Sequence, residues 1–207
     1  MKHEWRKHEK ELYLPKPKPT LVEVPAFSFF TISGKGNPNG DTFPAYIGVL
    51  YALSYAVKMS PKKQMAPEGY FDYTVYPLEG VWDLSEKAKA NYDGKLNKDE
   101  LIFTLMIRQP DFVDQAFFQQ VLELTQKKKP HPLLEQVQFE TIEEGTCVQM
   151  LHKGSYEEEP ASFQQMEAFA ATQQVERKSK RHREIYLNDA RKTAPEKLKT
   201  VLRFQVE

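Results

Sequence analysis

The segment HREIYLND, residues 182–189, places a carboxylate and a phenol where they could do chemistry. Its alternation reads as a strand, with Ile185 and Leu187 on one face and Glu184 and Tyr186 on the other. A half-exposed strand ordinarily carries Thr or Lys there. A single acid walled by aromatic rings attracts cations and polarised flat molecules, and each ring face adds about 0.5–2 kcal/mol by cation–π attraction. Desolvation would raise the pKa of such a carboxyl, by ~1 unit or more, towards useful acid–base work. The rings that could serve it are Tyr156, in the loop before a helical segment, Trp82 in PLEGVWDL, and Tyr73 and Tyr76 in YFDYTVYPLEG. Glu157 is a second acid that could reach the same place from its loop. The competing reading is a strand carboxylate paired with Arg183 or Arg203 at a sheet edge.

Other constellations point to structure. The histidines, His3, His8, His131, His152 and His182, show no ligand spacing, so no metal and no cofactor is expected. Cys147 is the lone cysteine, in the apolar run TCVQML; it excludes an internal disulfide, fits a reducing cytosol and reads as a small buried strand residue. GKGNPNG, residues 34–40, follows a strand but lacks the Gly-Lys-Ser/Thr ending of a phosphate-cradling loop, which leaves a turn into a helix. ERKSKRHRE, residues 176–184, is the only basic cluster and reads as a solvated helix end and loop. Ser155 and Ser162 lie near His152, with no buried acid to complete a triad. Positive and negative side chains balance to a formal net charge of zero, so the long-range field that draws nucleic acid or an anionic membrane is missing. No stretch approaches the about 20 apolar residues of a membrane span, and the charged N-terminus is not a secretory signal.

The elements that must position Glu184 are found in an internal repeat. FFTISGKGNPNGDTFPAYIGVLYALSYAVK begins at Phe29 and TCVQMLHKGSYEEEPASFQQMEAFAATQQV at Thr146. Each runs from an apolar strand through Lys-Gly and a polar loop to Pro-Ala and a helix. Lys35-Gly36 matches Lys153-Gly154, and Pro44-Ala45 matches Pro160-Ala161. YFDYTVYPLEG then reads as a strand with a Pro-x-x-Gly stop, setting Thr74-Val75-Tyr76 opposite Glu184-Ile185-Tyr186. A final strand closes each copy, from Leu101 and from Leu198. The helix at 43–59 is apolar nearly all round, with Asp41 placed to cap it; the helix at 160–174 is amphipathic through Phe163, Met166 and Ala170. Glu157, Glu158 and Glu159 precede that second helix, where its dipole favours negative charge. Between the copies, Asp111 and Asp114 lead a helix with a Val113, Phe117, Val121 and Leu124 stripe; LLEQVQFETI follows as a strand. A unit this small cannot bury its sheet and helix alone, so two copies pair around a cleft.

REIYLNDARKTAPEKLKT, HKGSYEE, FTLMIRQPDFV, YTVYPLEGVW and GKGNPNG together resemble the GyrI-like small-molecule-binding family, from about Pro19 to the end. The resemblance implies an α+β fold: a tandem pseudo-two-fold repeat of strand–helix–strand–strand modules with antiparallel sheets and a central ligand groove. It divides the chain into an N-terminal lead-in, 1–20, and one domain, 21–207, with repeat one at 21–109, a connecting helix at 110–129 and repeat two at 133–207. The same fold serves as effector domain in multidrug-sensing activators, where a glutamate in an aromatic pocket binds lipophilic cations; Glu184 matches that glutamate. With too few residues ahead of the fold for a helix-turn-helix, a stand-alone binder or enzyme is expected. Some stand-alone members resemble cyclopropanoid hydrolases, which open the strained ring of DNA-alkylating natural products. The resemblance therefore implies a cytoplasmic protein, monomer or homodimer, that binds planar aromatic or cationic small molecules and neither nucleic acid nor membrane. Glu184 and Tyr156 would be catalytic; Trp82, Tyr73, Tyr76, Tyr186 and Glu157 would bind the ligand. The alternatives are a non-catalytic sponge for lipophilic cations and dyes, and a protein-interaction module such as a gyrase modulator using the basic 176–183 cluster.

Overall fold

The computed structural model describes residues 2–93 and 95–207. In chain order the principal elements are α1 (Trp5–His8), α2 (Lys10–Tyr13), β1 (Thr20–Val24), β2 (Phe27–Lys35), α3 (Phe43–Lys58), β3 (Leu78–Leu84) and α4 (Glu86–Ala90). They continue with β4 (Leu101–Arg108), α5 (Gln115–Lys128), β5 (Gln138–Ile142), β6 (Gly145–Lys153), α6 (Glu159–Thr172), β7 (His182–Tyr186) and β8 (Lys199–Gln205). The fold is α+β. Its contacts divide it into two units, one built from Phe27–Leu78 and Leu84–Ile142 with the chain's start through Glu4, the other from Trp5–Ala26, Glu79–Asp83 and Glu143–Glu207. No helix among the described residues is long and apolar enough to cross a membrane.

In the first unit β2 pairs antiparallel with β4 and with β5, and α3 packs on β2, β4 and α5. In the second, β1, β6, β8, β7 and β3 follow one another as antiparallel neighbours, and α6 lies on β6. The expected strand–helix–strand–strand repeat is present down to individual bonds. Gly36 and Gly154 both adopt positive φ, +112° and +133°. Each then receives the start of its closing strand, Gly36 N–H donating to the Leu101 carbonyl (2.8 Å) and Gly154 N–H to that of Leu198 (3.1 Å). The left-handed backbone there is what glycine supplies at no steric cost.

Four local expectations are corrected. The aromatic segment 71–77 is not a strand: apart from a bridge between Tyr73 and His3 it is irregular, and the strand begins at Leu78. Pro77, with no N–H to donate, suits the residue before a strand better than its middle, so PLEGVW is the partner of β7 and TVY is not. Asp41 does not cap α3; Thr42 holds that position without a side-chain bond, and Pro44 opens the helix. Nor is α3 buried all round, as its apolar sequence suggests. Val49, Leu50, Leu53, Ser54 and Val57 form one buried stripe while Tyr55 is 52% exposed, the phenols tolerating the wet face. LLEQV is a 3-10 turn, and β5 starts at Gln138. By contrast, α5 starts where its acids place it, with Asp114 Oδ1 accepting from Phe117 N–H at 2.7 Å.

In the second unit the sheet has two different faces. Val148, Met150, Leu202 and Phe204 pack under Met166 and Ala170 of α6. The opposite face carries a buried ionic chain: Arg183 bonds Glu79 at 2.6 Å and Glu144 at 3.0 Å, and Arg203 bonds the other Glu144 oxygen at 2.9 Å. The N-terminal helices finish this face, the Leu12 carbonyl accepting from Arg203 and the Glu11 carbonyl from Gln149.

Candidate functional site

Alternation along β7 decides what surrounds Glu184. Arg183 and Ile185 point to the ionic face, so Glu184 shares the α6 face with His182 and Tyr186. Gly80 stands opposite Glu184 in the register with β3, and Trp82 opposite His182. Glu184 is therefore paired with neither Arg183 nor Arg203, both of which are committed to Glu79 and Glu144. It is 9% exposed.

The hydrogen bonds at Glu184 have a defined direction. The Trp82 indole N–H donates to the Tyr186 phenol oxygen at 2.7 Å, and the phenol donates to Glu184 Oε2 at 2.8 Å. An indole can only donate. The Tyr186 proton is thereby committed to the carboxylate. Burial first, and then the Glu184 charge, push the Tyr186 pKa well above its ordinary value. Glu184 Oε1 lies 3.1 Å from His182 Nε2. The His182 ring stacks edge-on against Phe163 of α6, centroids 4.7 Å apart.

The second acid of this site is Glu159, the first residue of α6. It is 6% exposed, and its Oε1 has no donor within reach among the described residues. Burial and then the neighbouring Glu184 carboxylate hold its pKa far above the usual carboxylate range. Two carboxyls placed together in a desolvated site cannot both ionise; the pair keeps a proton. Glu157 is exposed on the 3-10 turn before α6. Glu158 is spent on that turn, its Oε2 accepting from Ser155 N–H at 2.9 Å in a capping box. The three consecutive acids thus have three different surroundings. Helical spacing distinguishes them: Glu159 shares a face with Ser162, Met166 and Ala170, all buried, a pattern already present in the sequence.

Tyr156 stands edge-on to Tyr186, ring centroids 6.2 Å apart, and is 36% exposed. Burial of its hydroxyl, then Glu184 and Glu159, push its pKa up to about 12, so it stays protonated and able to donate. Glu184, Tyr156, Trp82 and Tyr186 are thus assembled in one unit, with Glu159 and His182 added. Tyr73 and Tyr76 belong to the other unit and are both buried. Tyr73 packs edge-on against Phe71 and Phe112. Tyr76 lies beneath the Arg108 guanidinium, 4.6 Å from its ring centre.

The remaining polar motifs are structural. His152 is buried, its Nε2–H donating to the Ser155 carbonyl (2.9 Å) and its Nδ1 accepting from Ser162 (2.9 Å), which ties β6 to the start of α6. The Cys147 thiol is buried and pushed up to about 12, chiefly by desolvation. The basic cluster is not wholly solvated, as the sequence suggests: Arg177 bonds Glu167 at 2.8 Å and lies over the Phe163 and Phe204 rings, and Lys180 bonds the same Glu167. An open cleft of about 290 Å3 in the first unit is walled by Lys87, Tyr92, Lys95 and their neighbours and includes none of these site residues.

The chain is similar over its whole length to a hydrolase from Listeria innocua, with 36% identity, a TM-score of 0.89 and both chains fully covered. A second Listeria innocua hydrolase structure gives 38% identity and a TM-score of 0.90, again with full coverage of both. The C-terminal domain of EcmrR shares the fold at 14% identity and a TM-score of 0.51, covering 92% of this chain and 97% of that one. No curated protein matches the chain significantly. The model of the GyrI-like small molecule binding domain matches residues 17–207.

Proposed function

The chain belongs to the GyrI-like small-molecule-binding family, and from that premise we propose that it takes up planar aromatic xenobiotics and hydrolyses the cyclopropane ring of DNA-alkylating ones. The observation that carries this reading is the Glu184 carboxyl: buried, unclaimed by arginine and oriented by Tyr186. Similarity to two Listeria innocua proteins described as hydrolases supports a hydrolytic activity.

In the proposed step, Glu184 takes a proton from a water whose oxygen attacks a cyclopropane carbon. The C–O bond forms as the ring C–C bond breaks, and the released electron pair passes into the fused dienone to give a phenolate. Tyr156 donates a hydrogen bond to that developing oxyanion. Tyr186 is unsuited to this role because its proton is already given to Glu184. Donors preorganised where charge develops are worth most in a site from which water is excluded. Relief of ring strain supplies much of the driving force.

Glu184→Gln keeps the shape of the site and removes the base. With a cyclopropane-fused cyclohexadienone as substrate, binding is retained and turnover falls by about 10²–10⁴-fold. Unchanged turnover rejects the role. The second reading, binding of lipophilic cations without chemistry, is favoured by the Glu159–Glu184 pair, which can lose its proton to solvent when a cation is buried beside it. Under that reading cationic dyes bind and the cyclopropane substrate emerges intact.

A further inference from the structure

We propose that His182 is the proton outlet of this site, a relay residue that passes the proton taken up by Glu184 to solvent; the inference rests on the acid–base reading of Glu184. His182 Nδ1 lies 3.2 Å from the Lys180 carbonyl, which can only accept, so Nδ1 carries a proton. His182 Nε2 lies 3.1 Å from Glu184 Oε1. A neutral imidazole protonated on Nδ1 offers only a lone pair at Nε2, and an ionised carboxylate offers only lone pairs as well. The contact therefore holds one proton, on one partner or the other. The remaining Glu184 oxygen is closed to transfer, because Trp82 fixes the Tyr186 hydroxyl as its donor. Glu159 is no outlet either, being more buried than Glu184 and already holding a proton. Among the described residues His182 combines contact with Glu184 and access to water, its side chain being 20% exposed.

The groups around the imidazole suit an exchange in both directions. From its own strand it faces Glu184, from α6 the uncharged Phe163 ring with Glu159 behind Glu184, and from β3 the uncharged Trp82 in register. Lys180 contributes its carbonyl while its ammonium is bonded to Glu167, and Arg177 lies over the Phe163 ring. Arg183, next in sequence, is turned to the opposite face. In the cycle, the one proton of the contact starts on Nε2. The free lone pair of Oε1 takes a proton from the attacking water, Nε2 gives its proton to bulk solvent, and the Glu184 proton then moves to the vacated Nε2; Nδ1 keeps its proton on the Lys180 carbonyl throughout. The phenolate product is protonated from solvent, so one water is consumed and protons balance.

His182→Gln can still donate to Glu184 but cannot relay. With the cyclopropane-fused dienone as substrate, kcat falls by about 10²-fold with KM and dye binding unchanged, and added imidazole restores turnover in proportion to its concentration. Wild-type kcat in this variant overturns the relay, and so does a loss that imidazole does not rescue. Glu184→Gln is run alongside; if it turns over normally, the acid–base reading itself has failed.

Discussion

Glu184 accepts the Tyr186 hydrogen bond because Trp82 leaves the phenol only one way to point, and its charge acts on the buried Glu159 at the start of α6. These residue-scale facts imply a pH signature. Glu159 is protonated in the folded chain well above its ordinary value of 4.5, whereas in the unfolded chain it ionises near that value. Across the interval the folded state binds more protons, so stability is full below pH 4.5 and declines as pH rises through neutrality towards the raised folded pKa. The slope contributed by this one group is at most about 1.4 kcal/mol per pH unit. Glu159→Gln is neutral throughout and should abolish that decline. Denaturant midpoints from pH 5 to 8 for both proteins check it, and parallel curves would contradict the shared proton. Sequence reasoning singled out Glu184 because its strand alternation is unambiguous. It passed over Glu159 because an acid at a helix start has an ordinary explanation in the helix dipole, and only its burial tells otherwise.

At the scale of elements, the turn Gly154–Glu158 aims α6. A Cβ on Gly154 would stand 2.5 Å from Glu158 Oε2, and its φ of +133° resists any L side chain. Gly154→Ala should therefore lower stability by about 1–3 kcal/mol from strain and also weaken the site by shifting Glu159. Gly36→Ala is the control: φ is +112° but a Cβ there meets nothing within 4 Å, so stability falls less and the site is untouched. Equal effects in the two variants would contradict the aiming role. The ionic face of the sheet supplies a second test. Arg183→Met leaves Glu79 and Glu144 buried without their shared guanidinium. Unpairing a buried charge costs about 3–5 kcal/mol, readable as a fall in unfolding free energy by denaturant titration; a loss under 1 kcal/mol, of the order of an exposed pair, would contradict it. The repeat was legible because its glycines and closing strands recur in order. The partner of β7 was not: Tyr, Val and Thr at 73–76 have high strand propensity, but the N-terminus holds them through His3, and Pro77 delays the strand. Propensity reports what fits a pleated sheet and cannot tell which of two adjacent segments the register takes.

For the whole molecule, balanced charge and two small sheet-and-helix units suit a binder of small molecules whose polarity is read locally. Family and fold were legible because several separated blocks occur in one order, each weak alone. The central claim is that a buried acid in a ring-lined setting does acid–base chemistry on a bound flat molecule. The measurement that tests it most directly compares wild type and Glu184→Gln for binding of a cyclopropane-fused cyclohexadienone and for formation of its ring-opened alcohol. Equal binding with product formation lost in the variant is the predicted result; equal product formation by both proteins, or none by the wild type, would contradict it.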